Sequence, residues 1–255
     1  MREATHRASG GLDWGLAPMS PADAIRSSAK DLISGCVGLA RQRREIKRYQ
    51  AAERAWSKSP RLSIGSGKST PPGWVGIDYK VAPNVFRFDL RFALPIADSS
   101  VRGILCEHVL EHFPLDDLPL MLKDYRRLLR PGGAIRVVSP DALLVADILA
   151  NVKSERVAAQ LDFDAKIHGW DRLDEKHRWR VANRMAYQFG QHHALLSASL
   201  METLLIESGF VDVVKMDVRE TRYFETVPTT HFERFPESHH EVFTVEARTP
   251  DVGLD

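Results

Sequence analysis

Residues 61–78 read RLSIGSGKSTPPGWVGID, and the spacing within this stretch decides what the chain can be. Leu62 and Ile64 mark a short apolar strand that runs into Gly65, Ser66 and Gly67. Lacking side chains, Gly65 and Gly67 allow a sharp backbone turn and the close approach of a ligand. A second short strand, carrying Val75 and Ile77, ends in Asp78. A carboxylate at a strand end can accept hydrogen bonds from both hydroxyls of a ribose. The pattern points to a nucleoside-containing cofactor.

Spacing selects among such cofactors. A dinucleotide fingerprint needs a third glycine opening a crossover helix, with its acid about 20 residues further on. Here Thr70 holds the third position, followed by Pro71, Pro72 and Gly73. Asp78 stands eleven residues after Gly67, too few for a crossover of about 10–12 residues and a second strand. No helix N-terminus is left to hold a pyrophosphate, which disfavours NAD and FAD. S-adenosylmethionine carries no phosphate and needs only the glycine turn and the acid.

A chain of 255 residues has room for one α/β domain with extensions. A formal net charge of +1 lacks the basic footprint of a nucleic-acid enzyme. Cys36 and Cys106 are far apart and have no flanking metal ligands. That usage, with no apolar leader at the N-terminus, leads us to expect a cytoplasmic protein. The longest apolar stretch, residues 32–40, contains Ser34 and Gly35 and is too short to span a bilayer. Residues 1–25 have a disordered composition. A helical pattern follows to residue 56, with Arg41, Arg43, Arg44, Lys47, Arg48 and Arg54 crowding its second half. We expect a helix that covers the domain with a solvated basic face. The division is therefore a disordered and helical extension over residues 1–56 and a cofactor-binding domain over 57–250.

Beyond Asp78, strand and helix signals alternate. Strands are expected over residues 85–89, 101–106 and 134–139, with a helix over 115–129 ended by Pro131, Gly132 and Gly133. A helix is expected over 141–153, a polar lid or loop over 162–183, a helix over 197–208, and strands over 211–218 and 241–247. Such alternation calls for a doubly wound α/β fold with a mostly parallel, Rossmann-like sheet.

Taken together, LSIGSGKSTPPGWVGIDY, FDLRFALPIADSSVRGILCEHVLEHF, MLKDYRRLLRPGGAIRVVSPD and GQHHALLSASLMETLLIESGF resemble class I S-adenosylmethionine-dependent methyltransferases. The likeness is nearest to the methyltransferase type 11-like branch found with polysaccharide and lipopolysaccharide gene sets, and it covers residues 60–250. It implies seven strands with the last antiparallel. It also implies that Gly65, Ser66 and Gly67 line the methionine end of the cofactor and that Asp78 holds the ribose, with Tyr79 beside the adenine. Asp89 and Leu90 would flank the adenine edge, and Cys106 and Glu107 would close the site. The implied acceptor is a small molecule or a glycan hydroxyl or amine. The alternative is a catalytically inactive methyltransferase-fold scaffold or cofactor-sensing subunit. The oligomeric state is not legible.

His108, Glu111 and His112 form an H-x-x-E-H pattern, which on a helix can bind zinc. Pro114 and the apolar strand before His108 argue against that helix, so no metal is expected. In the methyltransferase reading, the segment sits at the methyl end of the cofactor. His108 is then the proton acceptor, with Glu111 or His112 orienting it. His192 or His193 could enter from the C-terminal part.

Overall fold

A computed structural model of the chain describes residues 40, 42–54, 59–80, 82–230 and 236–251. The expected disorder of residues 1–25 lies outside them. The described residues from 44 onward form one compact unit. Its centre is a seven-stranded sheet in the order β3-β2-β1-β4-β5-β7-β6. The strands are β1 (Arg61–Ile64), β2 (Val75–Asp78), β3 (Val85–Arg87), β4 (Val101–Glu107), β5 (Leu129–Pro140), β6 (Val211–Met216) and β7 (Val242–Arg248). Neighbours from β3 to β5 run parallel, and β7 runs antiparallel to both β5 and β6. The fold is the α/β sheet with an antiparallel last strand that the resemblance implies.

Alternate residues of a strand face opposite sides, and the two sides of this sheet differ in chemistry. One row crosses it through Ile77, Ile64, Cys106, Val137 and Val245. These residues join one core with Tyr49 from α1 (residues 42–53), Leu122 and Tyr125 from α2 (Leu118–Leu128), and Met201 and Leu205 from α6 (Ala198–Glu207). Each fully buried aliphatic side chain there contributes about 1.5–3 kcal/mol. Tyr49 packs edge-on against Phe86, with ring centroids 5.2 Å apart. Arg48 donates to the Val85 carbonyl at 3.0 Å. One arginine of the basic run is therefore a fastener to β3.

The opposite row runs Gly76, Ser63, Leu105, Arg136, Glu246. Apart from Leu105 it holds glycine and polar residues, and loops rather than helices cover it. The connection 65–74 between β1 and β2 contains no helix. It folds back so closely that a Cβ on Gly76 would lie 2.5 Å from Ser66 Oγ and 2.9 Å from a Thr70 methyl. The segment after β6 crosses the same side. Phe224 stands where a Cβ on Gly103 would be 2.9 Å away, and it packs against Trp74. This strap hangs on Glu246, which accepts from Thr221 Oγ1, Arg222 N and Tyr223 N. Glu246 also forms a buried 2.6 Å ion pair with Nη1 of Arg136, which donates to Glu220 O as well, while Nη2 donates to Val218 O. Burial pulls the Arg136 guanidinium below its ordinary value against the pull of Glu246.

One expectation is corrected. Residues 162–183 are not a loop: they fall largely within α4 (Glu155–His168) and α5 (Glu175–Tyr187), which pack with α3 (Ala142–Leu149) into a second core of Leu144, Ile148, Val157, Val181 and Met185. Ser154 caps the start of α4, and Gly169 ends it in a left-handed conformation. A capping box of Asp174 and His177 starts α5. Trp170 lies against the rings of His168 and His177 at 4.9 and 4.5 Å. Those histidines are packing and capping groups. Strand β5 is also longer than the expected 134–139, because residue 101 of β4 pairs with Leu129 across a register shift.

Glu246→Ala should destabilise the protein by about 3–5 kcal/mol, the range for stranding a buried charge. Urea unfolding measures the loss. Limited proteolysis should show new cleavage within residues 219–230, since the same substitution removes the strap's anchor.

Candidate active site

The site is built at the carboxyl ends of β1, β2 and β4, where ligands bind in open α/β sheets. Gly65 and Gly67 both have φ of +63°, a conformation that side chains disfavour. A Cβ on Gly67 would meet nothing within 4 Å, so space lies open above the turn. Gly65 N donates to Ile77 O at 2.7 Å, tying the turn to β2. Asp78 is buried, and its two oxygens are held separately, Oδ2 by Gly67 N and Oδ1 by Lys80 N, each at 2.8 Å. A carboxylate oxygen can accept more than one hydrogen bond. Each oxygen therefore keeps capacity for one hydroxyl of a ribose, and the residues present fit the nucleoside of S-adenosylmethionine.

The other expected cofactor residues divide. Tyr79 is exposed beside Asp78. Asp89 is exposed and grips Arg91 through both oxygens, at 2.9 and 2.6 Å. The Arg91 hydrogen bond holds its carboxyl below the usual range. Leu90 packs partly against the main core. The Ser66 hydroxyl is turned under the loop onto Gly76. Cys106 points into the core, and burial pushes its thiol far up. The Glu107 carboxylate is engaged by the strap, accepting from Thr229 Oγ1 and from Thr230 N and Oγ1. Nothing local in the sequence signals these threonines, which lie more than a hundred residues away.

The histidine motif is joined directly to the glycine turn. A Cβ on Gly65 would lie 2.5 Å from a methyl of Val109, so only glycine lets β1 turn beneath the motif. His108 follows β4 with φ of +55°, its N–H donating to Val138 O at 2.9 Å. The next turn, Leu110–His112, is a short 3₁₀ helix, so the i, i+4 face of a zinc-peptidase helix does not form. Instead His108 Nδ1 meets Glu111 Oε1 at 3.3 Å, and Ser139 donates to Glu111 Oε2 at 2.9 Å. Burial pushes the His108 imidazole down, but the bond and charge of Glu111, with help from Glu241 and Glu107, hold it above its ordinary value. Burial likewise pushes Glu111 up, and His108 holds it below the usual carboxylate range. Ser139 went unnoticed in the sequence, since it reads there only as the end of a strand.

His192 and His193 do enter from the C-terminal part. His193 N and Ala194 N donate to the Glu111 carbonyl at 2.8 and 3.1 Å. The His193 side chain is exposed, whereas the His192 ring stands edge-on to His112 with centroids 5.1 Å apart.

Residues 76–137, from β2 into β5, match the model of a family described as a methyltransferase domain. No curated protein matches the sequence. Among solved structures, a SAM-dependent methyltransferase of Archaeoglobus fulgidus aligns at 13% identity and a TM-score of 0.44, covering 83% of this chain and 94% of that one. A SAM-dependent methyltransferase of Thermotoga maritima, described as a possible histamine N-methyltransferase, aligns at 15% identity and 0.42, covering 80% and 87%. A possible exported protein of Bordetella parapertussis aligns at 15% identity and 0.42, covering 82% and 67%. Likenesses this distant carry no weight for chemistry. The domain match over residues 76–137 and the seven-stranded sheet with its antiparallel last strand agree with the resemblance to class I S-adenosylmethionine-dependent methyltransferases.

Proposed function

We propose that the protein methylates a hydroxyl or amine of a small molecule or glycan, with His108 as the proton acceptor. The observation that carries this reading is the contact of Val109 with Gly65, which sets the histidine motif against the cofactor turn. S-adenosylmethionine, when bound, supplies a methyl group already activated on a sulfonium. The work left to the protein is to hold the acceptor in line and remove its proton. Glu111, anchored by Ser139, fixes the ring of His108 and raises its basicity. His112, held by its Nδ1 on the Gln191 carbonyl at 3.0 Å, steadies the turn that carries Glu111.

The acceptor class is supported by a cleft of about 480 Å³ further along the same end of the sheet, where β5 and β6 end and β7 begins. Asp141, Arg156, Asp217, His239 and Phe243 are among its lining residues. Charged and hydrogen-bonding groups beside an aromatic ring suit a polyhydroxylated molecule. A formal net charge of +1 gives the chain no overall positive excess to meet a nucleic-acid backbone.

Two substitutions separate binding from chemistry. Asp78→Ala should weaken S-adenosylhomocysteine by about 1–3 kcal/mol in calorimetry, because two backbone N–H groups and the ribose lose a buried acceptor. A wild-type protein giving neither heat nor thermal shift with either cofactor form would sink the reading. His108→Ala should keep that affinity within a few-fold while lowering turnover with an identified acceptor by about 10²–10⁴-fold. Near-normal turnover would show that positioning alone drives the transfer.

A further inference from the structure

We propose that Glu111, His112 and His192 form a binding site for a divalent transition-metal ion of the zinc class. One side-chain ligand atom from each residue lies within 4.8 Å of the other two. The trio comes from separate parts of the chain, Glu111 and His112 from the turn after β4 and His192 from the loop after α5. The two backbone bonds onto the Glu111 carbonyl hold those parts together.

The proton positions favour a metal. His112 Nδ1 faces the Gln191 carbonyl at 3.0 Å, and His192 Nδ1 faces the Met185 carbonyl at 2.9 Å. A carbonyl can only accept, so each Nδ1 carries the hydrogen, and in the neutral ring each Nε2 keeps a lone pair. Metal-bound imidazoles are oriented in this way, one nitrogen on a backbone carbonyl and the other on the ion. His192 Nε2 is buried and has no hydrogen-bond partner among the described residues. Glu111 Oε1 is buried too, and it makes no hydrogen bond beyond its ion-pair contact with His108. Buried polar atoms without partners are uncommon, and a shared ion would satisfy both.

Two imidazoles and a carboxylate suit Zn²⁺, Fe²⁺ or Co²⁺ and leave a position open for an outside oxygen or nitrogen. Pro114 and the strand before His108 argue only against zinc held by His108 and His112 on one helix. That helix is absent, and His192 supplies the ligand it would have provided. On the methyltransferase reading, on which this clause rests, the open position would take the acceptor heteroatom beside His108.

The test uses the full chain, purified without a histidine tag, stripped with a chelator and titrated with Zn²⁺ by calorimetry, with Co²⁺ absorption as a second probe. One ion per chain is expected. His112→Ala and His192→Ala should each weaken it by about 100-fold or more, since loss of a second-shell partner alone costs about 10–100-fold. His193→Ala should leave it unchanged. Thermal melts confirm that each variant is folded. The absence of stoichiometric Zn²⁺ binding, or binding unaltered in both ligand variants, would overturn the site. S-adenosylhomocysteine binding is read on the same samples. Zinc bound as expected without it would uphold the metal site and defeat the cofactor reading, and the reverse result would defeat the metal site alone.

Discussion

The connection between β1 and β2 is the constraint on which the rest of the structure depends. Adjacent parallel strands ordinarily cross over through a helix that also covers one face of the sheet. Residues 65–74 are too few for that, so the face is left to other parts of the chain. The loop folds onto Gly76, and the strap after β6 lays Phe224 on Gly103. Both strand positions must be glycine because the covering groups come within contact distance of the backbone. The polar anchor, Arg136 with Glu246, follows from the same shortage. A strap without secondary structure has backbone groups to satisfy, and Glu246 together with Arg136 satisfies four of them.

That solution reaches into the site. The strap ends on Glu107, whose carboxylate takes three hydrogen bonds from Thr229 and Thr230. The acid that closes β4 thus helps hold the cover of the sheet. On its other side the same strand end supports the histidine motif, and Val109 settles on Gly65. The glycine turn, His108 and the strap are therefore fixed relative to one another by one strand end.

Much of this was legible in the sequence because its signals are local. Leu62 and Ile64 before paired glycines, and Asp78 at a spacing that forbids a helix, define the turn without any tertiary knowledge. The repeat of Leu118, Met121, Leu122 and Tyr125 gives α2 for the same reason. The helices α4 and α5 were missed because their apolar residues are few and their exposed faces are long and charged. Their caps, Ser154, Gly169 and Asp174, were present in the sequence as weaker signals. What remained hidden was the long-range pairing: Glu246 with Arg136, Glu107 with Thr229 and Thr230, and His192 with His112. No periodicity encodes such contacts, which arise only once the sheet order is set.

Glu111 shows why the two halves of the site cannot be treated apart. It is almost fully buried, and its oxygens serve His108 and Ser139 while its carbonyl holds the loop that delivers His192. A buried carboxylate is expensive unless it is paired and hydrogen-bonded. Here the pairing comes from the residue proposed to accept the proton. Any group that draws on Glu111, whether an imidazolium or a metal ion, changes the charge felt by the other. The carboxylate therefore links His108 to the pair of His112 and His192 behind it, and on the readings proposed above the chemistry of one would depend on the occupancy of the other.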